Sequence, residues 1–169
     1  MENKQLVKYN FKTKPFKHQM DALDASHDKK YFALFMEMGT GKSKVLIDNI
    51  VHLYDRGEIN FALIIAPKGV YRNWVEREIP QHFPDDVQYR VIRWVSNPNK
   101  EQEREIKSVK DAFEGITIFV MNVEIFSTVK GRNVGNWLAK RFGNRGIVAV
   151  DESTTIKNTK SNRTKALVQ

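Results

Sequence analysis

At 169 residues the chain is long enough to bury a core and short for two domains, and 41% hydrophobic with 28% charged residues is ordinary globular usage that disfavours disorder and a membrane class. The absence of Cys excludes disulfides, thiolate chemistry and cysteine zinc sites, and the four scattered His have no zinc-ligand spacing. A formal net charge of +8 fits a polyanionic partner and a merely basic domain about equally well. No apolar run approaches the ~20 residues that span a bilayer. The Lys-rich stretch from Met1 to Lys17 lacks the apolar segment of a secretion signal. The expected location is intracellular, cytoplasmic or nucleoid-associated, and the host cytoplasm if the chain is phage-encoded.

In chain order, the first predicted strand is Tyr31 to Met36, leading into Gly39-Thr40-Gly41-Lys42-Ser43. A helix is predicted from Lys42 to Tyr54, where Val45, Leu46, Asp48, Ile50 and Leu53 recur at helical spacing. A loop between a buried strand and a helix gathers backbone N–H groups and a helix N-terminus at one spot, which attracts phosphate. Gly39 and Gly41 let the backbone turn close to the phosphates, Lys42 can reach the β and γ oxygens, and the Ser43 hydroxyl can ligate Mg²⁺. Met36 stands where the first glycine of the common pattern falls. Kinases, GTPases and translocases all use such a loop, so it does not name the reaction.

Phe61 to Ala66 is the next predicted strand. Lys68, Gly69 and Arg72 follow its end, where two cations and backbone N–H groups can meet phosphates, and Trp74 reads as a core anchor beneath them. A helix is predicted from Val70 to Phe83, broken by Pro80. A strand from Val87 to Val95 follows, then a helix from Asn99 to Phe113 with Ile106, Val109, Ala112 and Phe113 on one stripe. After the strand Ile116 to Met121, Asn122 and Glu124 are candidates by position. The helix predicted from Val123 to Phe142 is interrupted between Lys130 and Gly135 by two glycines and an asparagine.

The last predicted strand, Gly146 to Val150, ends in Asp151 and Glu152. Ligands bind at such strand ends in open parallel sheets. Asp151 suits Mg²⁺, held through a water, and Glu152 can orient and deprotonate an attacking water. Capping of a following helix is the plainer reading of the pair taken alone. Lys157, Lys160, Arg163 and Lys165 form a basic tail whose plainer reading is a solvated helix face. Strands alternating with helices imply one α/β domain with a parallel sheet between helical layers.

These motifs together resemble the first RecA-like lobe of a superfamily 2 helicase, closest to its Swi/Snf-type and phage DEAD/DEAH-like branch. "EMGTGKS", Glu37 to Ser43, is similar to motif I, and "VDESTTIKN", Val150 to Asn158, to motif II. "PFKHQ", Pro15 to Gln19, resembles the Q motif, "LIIAPKGVYRNWVEREI" resembles motif Ia and "FVMNVEIF" motif Ib. The resemblance implies a RecA-like P-loop NTPase three-layer sandwich over residues 1–169, with residues 1–30 as the Q-motif region and the chain ending before motif III and the second lobe. It implies ATP and Mg²⁺ as cofactors, with Lys42, Asp151 and Glu152 catalytic and Ser43 and Asp151 at the metal. Gly39, Thr40, Gly41, Lys42 and Ser43 would hold phosphates, Gln19 would read adenine, and Phe16 or Phe11 would lie beside the ring. Lys68, Gly69, Arg72 and Asn122 would meet nucleic acid, with the Ile-Lys-Asn after motif II leaning toward DNA rather than RNA.

The implied activity is ATP hydrolysis coupled to movement along DNA, completed by a second lobe and weak in this monomeric chain alone. Ser153 and Thr154 depart from the usual third and fourth residues of motif II, which puts coupling through Thr154 in question. Two other classes stay open: a P-loop phosphotransferase acting on a small acceptor, and a non-hydrolysing ATP-gated clamp on nucleic acid or protein.

Overall fold

Phe61–Ala66 (β1) is buried at every position, as a strand covered on both faces must be. In the computed structural model, which describes residues 8–151, β1 lies inside a four-stranded sheet of order β2-β3-β1-β4, where β2 is Tyr89–Arg93, β3 Ile116–Asn122 and β4 Gly146–Val150. Every pairing is parallel, with Phe61 opposite Thr117 on one side and Gly146 on the other. Glu152, Ser153, Thr154, Lys157, Lys160, Arg163 and Lys165 lie outside the described residues.

The period of two along β1 divides the core. Ala62, Ile64 and Ala66 join one apolar cluster with Ile47, Ile50, Trp74 and Phe83, while Phe61, Leu63 and Ile65 join a second with Trp94, Phe119 and Leu138. Lys17–Ser26 (α1) packs on Lys42–Asp55 (α2). With residues 71–82 (α3), α2 covers the first face of the sheet. Lys100–Lys107 (α4) and Val129–Phe142 (α5) supply Ile106, Val134 and Leu138 to the second. The result is a three-layer α/β/α arrangement with all strand C-termini at one end.

Several predicted elements take a different form. The strand predicted from Tyr31 to Met36 is not one: residues 32–37 have no regular secondary structure, and Tyr31 and Phe35 are 83% and 97% exposed. A strand needs a ladder partner, and no described strand pairs with this segment. The strand predicted from Val87 to Val95 shortens to β2. Pro80 does not break α3, which runs as Tyr71–Asn73, a π-helical segment Trp74–Glu78 and Ile79–His82. The Ile79 N–H bonds back to the Trp74 carbonyl, so the widened turn carries the backbone out of the usual register immediately before a residue that has no N–H to place.

The helix predicted from Asn99 to Phe113 ends at Lys107 and closes with a 3₁₀ turn, Ser108–Lys110, leaving Phe113 outside it under the Arg90 guanidinium. The predicted interruption at Gly131 and Gly135 is also absent. The break falls at Thr128, between a 3₁₀ segment, Val123–Ser127, and α5, where Thr128 Oγ1 accepts from the Gly131 N–H at 3.0 Å. The helix runs through both glycines, at positions where a Cβ at Gly131 would overlap the Ile125 carbonyl and one at Gly135 the Phe126 ring. They serve close packing of α5 on the 3₁₀ segment.

Candidate functional site

Gly41 is the N-cap of α2 at φ 82° and Gly39 lies at φ 76°, both in the left-handed region that side chains disfavour. No side chain among the described residues caps α2, so the N–H groups of its first turn face the loop as donors for an anion. Lys42 Nζ donates to the carbonyls of Met36 at 3.0 Å and Glu37 at 2.9 Å. Charge-assisted bonds to phosphate oxygens are stronger than bonds to neutral carbonyls, so a phosphate chain can displace these partners. Thr40 Oγ1 donates to the Glu37 carbonyl at 2.7 Å and tightens the same turn. Ser43 is half-buried in the first turn of α2.

Gln19 ties α1 to this loop. Its side chain is buried, with Oε1 accepting from the Phe16 N–H at 2.9 Å and Nε2 donating to the Thr40 carbonyl at 3.1 Å. His18 Nε2 contacts the same carbonyl at 3.0 Å. Gly41 is thus constrained twice, by its positive φ and by the Gln19 amide where a Cβ would go. Phe16 is largely exposed and stacks on His18, with centroids 5.8 Å apart.

Asp151 follows β4 directly, and its N–H extends the ladder to the Ile65 carbonyl at 2.8 Å. Its Oδ2 accepts from Trp74 Nε1 at 2.8 Å. Trp74 is the core anchor expected, 1% exposed, but the bond to Asp151 is a role the sequence reading missed. A buried indole needs an acceptor. That requirement, set beside a carboxylate at a strand end, is the signal that could have found it. The loop and Asp151 share no direct hydrogen bond among the described residues.

On the other side of β1, the Lys68 N–H donates to Glu124 Oε1 at 3.3 Å, joining the chain after β1 to the segment after β3. Lys68 and Gly69 are exposed, and Arg72 is exposed with Glu76 3.8 Å away. Asn122 is buried, and its Oδ1 accepts from the Ile125 N–H at 3.0 Å, capping the 3₁₀ segment. Within the fold it acts as a cap, whereas Lys68, Gly69 and Arg72 present a surface. Glu152, the expected water-aligning residue, lies outside the described residues.

Beneath the loop, α2 carries a buried ion pair, Lys44 Nζ to Asp48 Oδ2 at 2.7 Å. Burial pushes the Asp48 carboxyl up to about 6 against the opposing pull of Lys44. Lys44 also lies 5.2 Å from the centre of the Phe11 ring, so the segment before α1 covers this pair. Burial, then the Lys44 charge, lowers the pKa of His82, whose Nδ1 is 2.7 Å from Thr13 Oγ1.

A family profile described as SNF2-related domain matches residues 23–169, most of the chain. Among solved structures, the Sulfolobus solfataricus SWI2/SNF2 ATPase core in complex with dsDNA is similar to this chain at a TM-score of 0.58 and 16% identity. The match covers 96% of this chain and 37% of that one, so the chain spans well under half the length of its structural neighbour. No curated protein matches the sequence. The likeness establishes the fold as the RecA-like P-loop sandwich. No helix among the described residues is long and apolar enough to cross a membrane.

Proposed function

The chain belongs to the SNF2-related domain family, and on that premise we propose that it is the ATP-binding lobe of a nucleic-acid-dependent ATPase that moves along DNA. The observation that carries the reading is the loop at Gly39 to Ser43: two left-handed glycines, an uncapped start of α2 and a lysine held by exchangeable carbonyls. Such a loop fits a triphosphate, with backbone N–H groups cradling the phosphates and Lys42 neutralising charge as the terminal phosphoryl departs. Gln19, already bonded to Thr40, reads the adenine edge with its remaining amide hydrogen, and Phe16 lies beside the ring.

The donor set also fits Mg²⁺, since the Ser43 hydroxyl and Asp151 carboxylate are the hard oxygen ligands that ion takes. Ser43 and Asp151 would hold the ion, which would supply charge stabilisation to the phosphoryl transfer. Asp151 is oriented for this by Trp74, and Glu152 aligns and deprotonates the attacking water. Lys68, Gly69 and Arg72 meet the sugar-phosphate backbone of the polymer, and Asn122 holds the neighbouring segment in shape for it. Duplex DNA is the favoured polymer because the similar Sulfolobus core is described with dsDNA. A second lobe supplies the arginines that complete the ATP site, a reading supported by the chain's short span of that structure. An arginine finger is worth roughly 10³ to 10⁵ in rate in other P-loop enzymes, so this chain alone binds ATP and hydrolyses it slowly.

The test is calorimetry with ATP, GTP and a non-hydrolysable ATP analogue, with and without Mg²⁺, on wild type and Lys42→Ala. Mg²⁺-dependent binding selective for adenine and abolished in Lys42→Ala is expected. Equal binding of GTP would remove the Gln19 role. Unchanged binding by Lys42→Ala, or rapid DNA-stimulated turnover by this chain alone, would overturn the reading.

A further inference from the structure

The second apolar cluster leaves a cavity of about 650 Å³ between α4, the Ser108–Lys110 turn and α5, lined by none of the phosphate-loop residues. Trp94, Trp137 and Phe119 supply its aromatic surface, and among the described residues the only charged ones lining it are Lys107, Lys110 and Lys130. Lys110 Nζ lies 5.7 Å from the Trp137 ring centre and Lys130 Nζ 5.6 Å from that of Trp94. Neither lysine has a carboxylate partner among the described residues, while Lys107 has only the exposed Glu103 at 3.7 Å. Trp94 is 3% exposed, and its Nε1 is buried without a hydrogen-bond partner. A buried N–H left without an acceptor is costly, and such groups in native proteins call for an explanation.

Volumes of roughly 300–1,000 Å³, mostly apolar with a few placed polar groups, are those of small-molecule sites. Beside the Asn133 amide, which can donate or accept, the polar groups are three exposed ammonium groups and an indole donor unpaired among the described residues, a set that favours an acceptor carrying negative charge. We propose that this cavity binds a small amphipathic organic anion, an aromatic body bearing a single carboxylate or similar acidic group. The ring packs between the tryptophans, and the acid meets Lys110 and Lys130. The flat ring body suits two indoles better than a branched aliphatic one does, because stacking adds to area burial. A peptide or polymer is the weaker fit, since the three lysines line this one site instead of continuing along the surface beside it. Nothing in this site depends on nucleotide.

The experiment uses ¹⁵N-labelled full chain and its three tryptophan indole N–H resonances, assigned by single Trp→Phe variants. Titration with 2-naphthoate is expected to shift the Trp94 and Trp137 signals saturably while Trp74, in the other apolar cluster, stays in place. The neutral isostere 2-naphthylmethanol is expected to need a roughly tenfold higher concentration, the effect of about one well-placed charge interaction. Lys110→Gln/Lys130→Gln, at two lysines without ion-pair partners among the described residues, should erase that preference and leave the spectrum otherwise folded. Absence of a saturable shift, equal affinity for the alcohol, a preference that survives the double variant, or movement of Trp74 in step with the others would each overturn the proposal.

Discussion

Trp74 donates its indole N–H to Asp151 across 77 positions of sequence, tying the helix after β1 to the residue after β4 at 2.8 Å. Because the indole is buried, the bond orients a carboxylate that would otherwise rotate freely at the strand end. Hydrogen bonds to charged groups contribute about 1.5–3 kcal/mol. Trp74→Phe, which keeps a ring but deletes the donor, should lose at least that much in urea unfolding. Asp151→Asn, whose amide oxygen still accepts, should stay closer to wild type. If Trp74→Phe matched wild type, the bond would carry no stabilisation.

Gly41 offers a double-mutant cycle. Gly41→Ala places a Cβ at positive φ and against the Gln19 amide, and the left-handed conformation alone costs about 1–2 kcal/mol for a non-glycine residue. Gln19→Ala in the same chain removes the clash but not the backbone strain. Chemical denaturation of both singles and the double should therefore show partial rescue. Strict additivity would mean that the two residues do not meet.

Within an ordinary helix interior, glycine to alanine gains about 1 kcal/mol. At Gly131 the opposite sign is expected, because the added Cβ meets backbone, the Ile125 carbonyl, which cannot swing away. Overpacking of this kind costs about 1–3 kcal/mol. Gly135→Ala should be milder, since the atoms it meets belong to the Phe126 ring. Thermal melts of the two variants give the comparison, and a stabilised Gly131→Ala would refute the packing account.

The Lys44–Asp48 pair predicts both a mutational and a pH response. Removing one partner of a buried pair costs about 3–5 kcal/mol. Asp48→Ala should approach that, while Lys44→Met/Asp48→Leu, which leaves no stranded charge, should cost much less. With the folded carboxyl titrating at about 6 against the usual 3.8, the folded state holds a proton that the unfolded chain has released between those values. The contribution is present in full below the unfolded pKa and is lost as pH rises through about 6. The stability of wild type relative to Asp48→Asn should accordingly fall between pH 4 and 7. An Asp48 carboxyl carbon that titrates in the ordinary range by NMR would contradict the assignment.

Runs of contiguous apolar residues announced β1, β3 and β4 nearly to the residue, because a strand buried on both faces needs no partner-specific pattern to be read. The start of α2 was equally legible, since the helix begins within the five consecutive residues Gly39 to Ser43. Tertiary structure decided whatever depended on a distant neighbour. Residues 32–37 have strand composition but no ladder partner among the described residues, so they are not a strand. Pro80 and the glycines of α5 look like breakers until a π turn and the crowded Ile125 and Phe126 surfaces give each a place. The bonds from Gln19 to Thr40 and from Trp74 to Asp151 have the same origin. Local composition fixes which backbone states are cheap, but a side chain's partner is whatever the rest of the chain brings within about 3 Å, and spacing along the sequence does not encode that distance.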